Sequence, residues 1–311
     1  MVDREPSLPQ TIALKNGPVY LLLLLVHGGL GRHVIKRDLP DPDDTPYMLN
    51  GEEVDIRDKP FMCYLEKEGQ FLCSCVLIDK RHVLTTVVCT TTGATEDYTV
   101  VFGVQNPQSL QSKLEKGTAL RVGVSSLHRH PEYRIEDSTP FNNLAVYELE
   151  YDISSWAYYS SRARPLDRLA TPGESFVNNT NCYVIGYGMV SIEELQKKVF
   201  LWNSLEGLQE ANVPVISHAE CGHRMVAIAD NTVCVLDEKS YAIACFGGRG
   251  GLLVCEIDTL WTLVGFTRRA PHGCKAISFF EEIAENSHWV EEQIISRWQA
   301  MLMHWNLWPK S

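Results

Sequence analysis

A chain of 311 residues, 45% hydrophobic and 22% charged, has the make-up of a folded globular protein and is long enough for one large or two modest domains. Its formal net charge of -11 argues against a nucleic-acid or heparin binder, which needs clustered Lys and Arg. Ten cysteines, an even number, fit an oxidising compartment. No Cys-x-x-Cys pair occurs, and the lone Cys-x-Cys (Cys73 and Cys75) has no His cluster downstream, so no zinc site is expected.

In chain order, the first predicted element is the uninterrupted apolar run at residues 19–26. It is far shorter than the ~20 residues of a membrane span and has the length of a signal-peptide core, with Gly28 and Gly29 following. Asp3 and Glu5 precede it, which a true start further in would explain; a buried strand is the competing reading. Residues 1–31 are therefore expected to be a signal segment. Residues 32–47 hold Pro40, Pro42 and Pro46 among Asp38, Asp41, Asp43 and Asp44, with no apolar period, and read as a propeptide-like linker.

Residues 71–78 and 82–89 are short, apolar and rich in β-branched residues, as strands with a buried face are. His128 and His130 stand two apart, a spacing open to metal ligation. Asn178-Asn179-Thr180 is a glycosylation sequon on a connecting loop, with Asn178 the acceptor in a secreted chain. Near the end, Val290, Ile294, Trp298, Met301, Leu302 and Trp305 recur at helical steps and predict a helix through to Ser311. Its tryptophans either pack on the domain or face a partner. Short β-rich segments with frequent turns and few long helical periods indicate all-β barrels or sandwiches.

Cys245 and Cys255 bracket a glycine-rich loop, Cys-Phe-Gly-Gly-Arg-Gly-Gly-Leu-Leu-Val-Cys. It resembles the nucleophile loop of the trypsin/chymotrypsin-like serine proteases, Cys-x-Gly-Asp-Ser-Gly-Gly-Pro-Leu, with Arg249 at the serine and Gly248 at the aspartate. The likeness runs through most of the chain. Met48-Leu49-Asn50-Gly51 resembles the Ile-Val-Gly-Gly start of a mature protease, and Tyr47 stands where a basic residue is cut. The segment ending Val87-Val88-Cys89 matches Ala-Ala-His-Cys, so Val88 holds the place of the general base. His130-Pro131 with Tyr133 fits the family's His-Pro-x-Tyr surface loop, which displaces the metal reading. Asn142-Asn143-Leu144-Ala145 resembles Asn-Asp-Ile-Ala, with Asn143 at the triad aspartate.

The resemblance implies two six-stranded antiparallel Greek-key β-barrels with a C-terminal helix. A trypsin-like domain would span residues 48–295, and residues 296–311 would form a helical extension. It also implies the bridges Cys73–Cys89, Cys182–Cys255, Cys221–Cys234 and Cys245–Cys274. Cys63 and Cys75, left over on consecutive strands of the first hairpin, are expected to form a fifth, cross-strand bridge, with two buried thiols the alternative. In the specificity cleft, Ile243 takes the bottom of the primary pocket and Ser278 a lining glycine, while Arg268 and Arg269 stand in the edge strand that pairs with substrate. Those two arginines, with Arg249, are read either as drift or as contacts for an acidic partner.

Val88 has no lone pair to accept a proton. In the triad of this family the Asp-to-Asn change alone lowers turnover by ~10⁴, and loss of all three groups leaves only ~10³–10⁴ over water. The expectation is thus a pseudo-protease with degenerate triad positions Val88, Asn143 and Arg249, no cofactor and no metal. It would be secreted, would bind proteins (active proteases or their substrates) and would act as regulator or decoy in an extracellular proteolytic cascade. A residual serine-type endopeptidase and a small-ligand carrier are the alternatives.

Overall fold

Short runs of β-branched and aromatic residues build the strands here, and backbones with positive φ make the sharpest turns. A computed structural model of the chain describes residues 47–49, 51–90, 94–136, 139–153, 163–188, 206–224, 228–236, 243–245, 250–268 and 277–295. The expected signal segment and the extension at 296–311 lie outside the described residues.

Met62–Lys67 (β1) and Gln70–Leu77 (β2) are joined by Glu68 (φ 52°) and Gly69 (φ 76°), with Lys67 opposite Gln70. Positive φ at both central residues gives the two-residue hairpin turn whose twist matches that of paired strands. His82–Thr85 (β3), Tyr98–Phe102 (β4), Leu120–Arg129 (β5) and Ala145–Leu149 (β6) complete the sheet. It closes as a barrel in the order β6-β3-β2-β1-β4-β5, with β5 paired back to β6. The helix Leu110–Glu115 (α1) lies between β4 and β5.

Alternation along β1 separates two cores. Met62 and Tyr64 join a cluster that also holds Ile185, Tyr187, Leu252 and Phe266 from the second half of the chain. Cys63 and Leu65 point into a cluster drawn from the first barrel and its neighbouring loops. With both faces covered, β1 reads as a continuous apolar run rather than an alternating one.

The second half contains Cys182–Gly188 (β7), Glu206–Asn212 (β8), Thr232–Leu236 (β9), Leu252–Ile257 (β10), Leu260–Thr267 (β11) and Ile277–Glu282 (β12). Among the described residues they form one ladder, a half-barrel, running Val215–Ile216, β9, β12, β11, β10, β7, β8 and Glu52–Glu53. The chain leaving β8 continues through Val213, whose N–H donates to Cys182 O at 2.9 Å, and Pro214, whose O accepts from Leu236 N of β9 at 3.1 Å, into Val215–Ile216, which pairs with β9. Among the described residues the fold is mostly β, with a closed six-stranded barrel, a half-barrel sheet, two two-stranded sheets and the short helices His218–Arg224 (α2) and Ser287–Ile294 (α3).

The halves meet through specific bonds. Tyr187 donates its hydroxyl to Val104 O at 2.7 Å and its N–H to Ser74 Oγ at 3.1 Å. Disulfides add cross-links at Cys63–Cys75, Cys73–Cys89, Cys182–Cys255 and Cys221–Cys234. Two of these join directly opposed residues of neighbouring strands: Cys63 faces Cys75 across β1 and β2, and Cys182 faces Cys255 across β7 and β10. Cys274 lies outside the described residues, so the expected Cys245–Cys274 bridge does too.

Candidate active site

After β3 the chain makes a tight turn at Val87–Thr90, in which Val87, Cys89 and Thr90 are buried. Cys89 is tied to Cys73 on β2, which fixes the turn against the barrel. Val88 is the residue turned outward, with 41% of its surface exposed. Its N–H donates to Asn143 Oδ1 at 3.1 Å, and the Val87 N–H approaches Asn143 O at 3.4 Å. Two of the three triad-matched residues are thus brought together. Asn143 is 2% exposed, and its amide oxygen serves a backbone donor. Valine has no proton acceptor and a neutral amide carries no charge to orient one, so proton transfer at this turn would need groups other than these two.

Asn143 is held from below. Asn142 precedes it in the left-handed region (φ 49°), which asparagine tolerates better than most residues. The Asn142 N–H donates to Glu281 Oε1 at 3.1 Å, and its Nδ2 donates to Glu132 O at 3.3 Å. Glu281 on β12 is 1% exposed. It also accepts from Asn231 Nδ2 at 3.0 Å and from Arg268 Nε at 2.6 Å. Arg268 reaches onward to Thr232 Oγ1 at 2.6 Å and Asn231 Oδ1 at 2.9 Å, and it stacks over the Phe141 ring at 5.0 Å. A buried charge is tolerated only when paired and hydrogen-bonded, and each member of this network is.

The structure therefore places Arg268 differently from the reading of it as a contact for an acidic partner. At 4% exposure its guanidinium is committed to Glu281 inside the protein. The reason is non-local: Glu281 comes to it through the pairing of β11 with β12, and Asn231 through the pairing of β9 with β12. Glu281 and Asn231 are not singled out by the sequence, and Asn142 only as a neighbour of Asn143 in its motif. Glu281, directly after Phe279-Phe280 in the strand Ile277–Glu282, was the available sign that a buried cation lies near.

The other predicted positions are spread. Arg249, Gly248 and Arg269 lie outside the described residues. Gly250, the next described residue, has φ 76°, and a Cβ there would sit 2.1 Å from Ser74 O. That approach presses the end of the glycine-rich loop onto β2, where Thr85 Oγ1 also donates to Ser74 O at 2.8 Å. The backbone of Ile243–Cys245 pairs antiparallel with Tyr47–Leu49, which brings the segment resembling a protease start beside the strand entering that loop. Ser278 is buried on β12 opposite Val235. Asn178 is exposed with φ 62° in a turn. Among the described residues no helix is long and apolar enough to cross a membrane.

A family model described as Trypsin matches residues 48–290. The chain is 31% identical over 213 residues to the mouse (Mus musculus) atrial natriuretic peptide-converting enzyme, covering 67% of this chain and 17% of that protein. Its human (Homo sapiens) counterpart is 30% identical over 217 residues, covering 67% and 18%. Human testisin is 25% identical over 266 residues, covering 80% of each chain. The chain thus spans less than a fifth of the mouse and human converting enzymes it matches. These matches overturn the expectation that the chain is no enzyme. The matched family is one of proteases, and the relatives at about a third identity carry the name of a converting enzyme, so the family points to an enzyme.

Proposed function

Because the chain belongs to the trypsin family, we propose that it works by contact with extracellular proteins, as a secreted regulator or decoy within a proteolytic cascade. The observation that carries this reading is the turn at Val88, held by its bond to Asn143 and by the Cys73–Cys89 bridge, from which the outward side chain at 88 offers an apolar surface. An exposed apolar residue on a rigid, cross-linked turn suits recognition, since little freedom is lost on binding. Four disulfides support secretion, because such bonds persist in oxidising compartments. Asn178, exposed in its turn, would carry an N-glycan there.

Hydrolysis of a protein substrate is the second reading, and family membership favours it. The two are separated by one pair of measurements on the secreted protein. Capture from the fluid that contains it, with mass-spectrometric identification, should return a defined protein partner bound to the native chain and not to a heat-treated one. Incubation of that partner with the chain reports cleavage. Failure to capture any partner would overturn the contact reading, and cleavage of a captured one would make the partner a substrate.

A further inference from the structure

A cavity of about 620 Å³ opens where the loop after β5 meets the turn before β9 and the start of α3, a size that suits a ligand rather than a single water. Its lining includes two buried neutral side chains, His130 at 9% exposure and Asn286 at 5%. The Glu132 N–H donates to His130 Nδ1 at 3.2 Å, which leaves the ring proton on Nε2. Burial holds the His130 pKa below the ordinary histidine range, so the ring stays neutral near pH 7. Among the described residues His130 Nε2 has no partner. Asn286 donates Nδ2 to Glu282 O at 3.0 Å, and its Oδ1 likewise has none. One donor and one acceptor are thus held in buried lining residues with no internal use.

The remaining chemistry has one sign. Trp289 forms a wall, its ring 4.6 Å from that of His130. Glu132, Asp230 and Glu285 are exposed carboxylates of the lining, and among the described residues no Lys or Arg contributes to it. Arg268, which touches the lining residue Asn231, is committed to Glu281 and cannot neutralise them.

From these features we infer that the cavity is a docking site for the lysine or arginine side chain of an extended segment on a protein partner. The carboxylates draw the cation in, the Trp289 face accepts it by cation–π attraction, and Asn286 Oδ1 accepts one of its protons. His130 Nε2–H is free to donate to a backbone carbonyl of the same segment. An anionic ligand would meet three carboxylates, and an apolar one would strand the free donor and acceptor. The inference concerns a face other than the turn at Val88 and does not depend on whether that cleft binds or cleaves.

Titration of the full folded chain with Ac-Gly-Lys-Gly-NH2, and separately with its norleucine counterpart, tests it by calorimetry and by the Trp289 indole resonance. The lysine peptide should bind saturably and the norleucine peptide at least about tenfold more weakly. Asp230→Asn with Glu285→Gln should weaken lysine-peptide binding about tenfold and flatten its salt dependence, because both carboxylates are exposed and screened by salt. Asn286→Leu should weaken it further without changing that salt dependence. Near-UV circular dichroism checks that each variant is folded. Equal affinity for the two peptides, an unaltered affinity in the charge-removed variant, or no saturation by ~20 mM lysine peptide would each overturn the assignment.

Discussion

Replacing Arg268 by methionine removes a cation from a site where its partner stays behind. Lost are the 2.6 Å bond to Glu281, the 2.6 Å bond to Thr232 and the 2.9 Å bond to Asn231. Glu281 keeps only the Asn142 N–H at 3.1 Å and Asn231 Nδ2 at 3.0 Å, and no longer has a counter-charge at 1% exposure. Stranding one member of a buried pair costs about 3–5 kcal/mol, and a domain of this size loses roughly 2–4 °C of melting temperature per kcal/mol. The Arg268→Met variant should therefore melt about 6–20 °C lower with its disulfides intact. Replacing both partners, as Arg268→Met with Glu281→Leu, should recover most of that loss, because no charge is left buried. Hydrogen exchange supplies a local readout. Glu281 anchors Asn142, the neighbour of Asn143, so the Val88 amide should lose protection in the single variant beyond the global change. The reasoning fails if the single variant melts within 2 °C of the parent, or if the double variant is no more stable than the single.

Three further outcomes follow from the geometry. Asp79 is held below the ordinary carboxylate range: burial pushes its pKa up, but bonds from the His82 ring and from the Arg81 and His82 N–H groups outweigh that. A depressed folded pKa means the stabilisation is complete above the unfolded value of ~3.9 and lost as pH falls through the folded one. Asp79→Asn should accordingly cost about 1 kcal/mol at pH 7, with the gap closing in urea titrations at strongly acidic pH. Thr259 is β-branched and sits at φ 68° between β10 and β11, so Thr259→Gly should raise stability by about 1 kcal/mol, whereas Gly250→Ala, with Ser74 O 2.1 Å from the new carbon, should lower it and reduce soluble yield. The bridges can be ranked by the chain they close: 73 residues separate Cys182 from Cys255 and 12 separate Cys63 from Cys75. Replacing the longer-range pair by alanines should destabilise by about 1.6 kcal/mol more than replacing the shorter. Chemical denaturation measures both, and the opposite order would refute the chain-entropy account.

What was legible in the sequence was local or framed by cysteine spacing. The strands around Cys73 and Cys89 and the neighbourhood of Val88 and Asn143 rest on residues close in the chain or on a landmark order that survives substitution. Arg268 was not legible, because its neighbours within the strand say only that a charge stands near a cleft. Glu281 is 13 positions away and Asn231 is 37; pairing of β11 with β12 brings the first to it and pairing of β9 with β12 the second. His130 was read as part of a surface loop, yet Trp289 from the far end of the domain covers its ring.

The turn at Val88 has a consequence for how such a chain can change over generations. It is held by a disulfide at its neighbour and by main-chain bonds to Asn143, and the side chain at position 88 contributes to neither. Substitutions at an outward position of that kind usually shift stability by no more than about 0.5 kcal/mol. The chemistry displayed at the mouth of the cleft is therefore nearly invisible to selection for folding. A histidine, a valine or a bulky aromatic would stand on the same pedestal at almost equal cost, and the scaffold is free to be reassigned without being rebuilt.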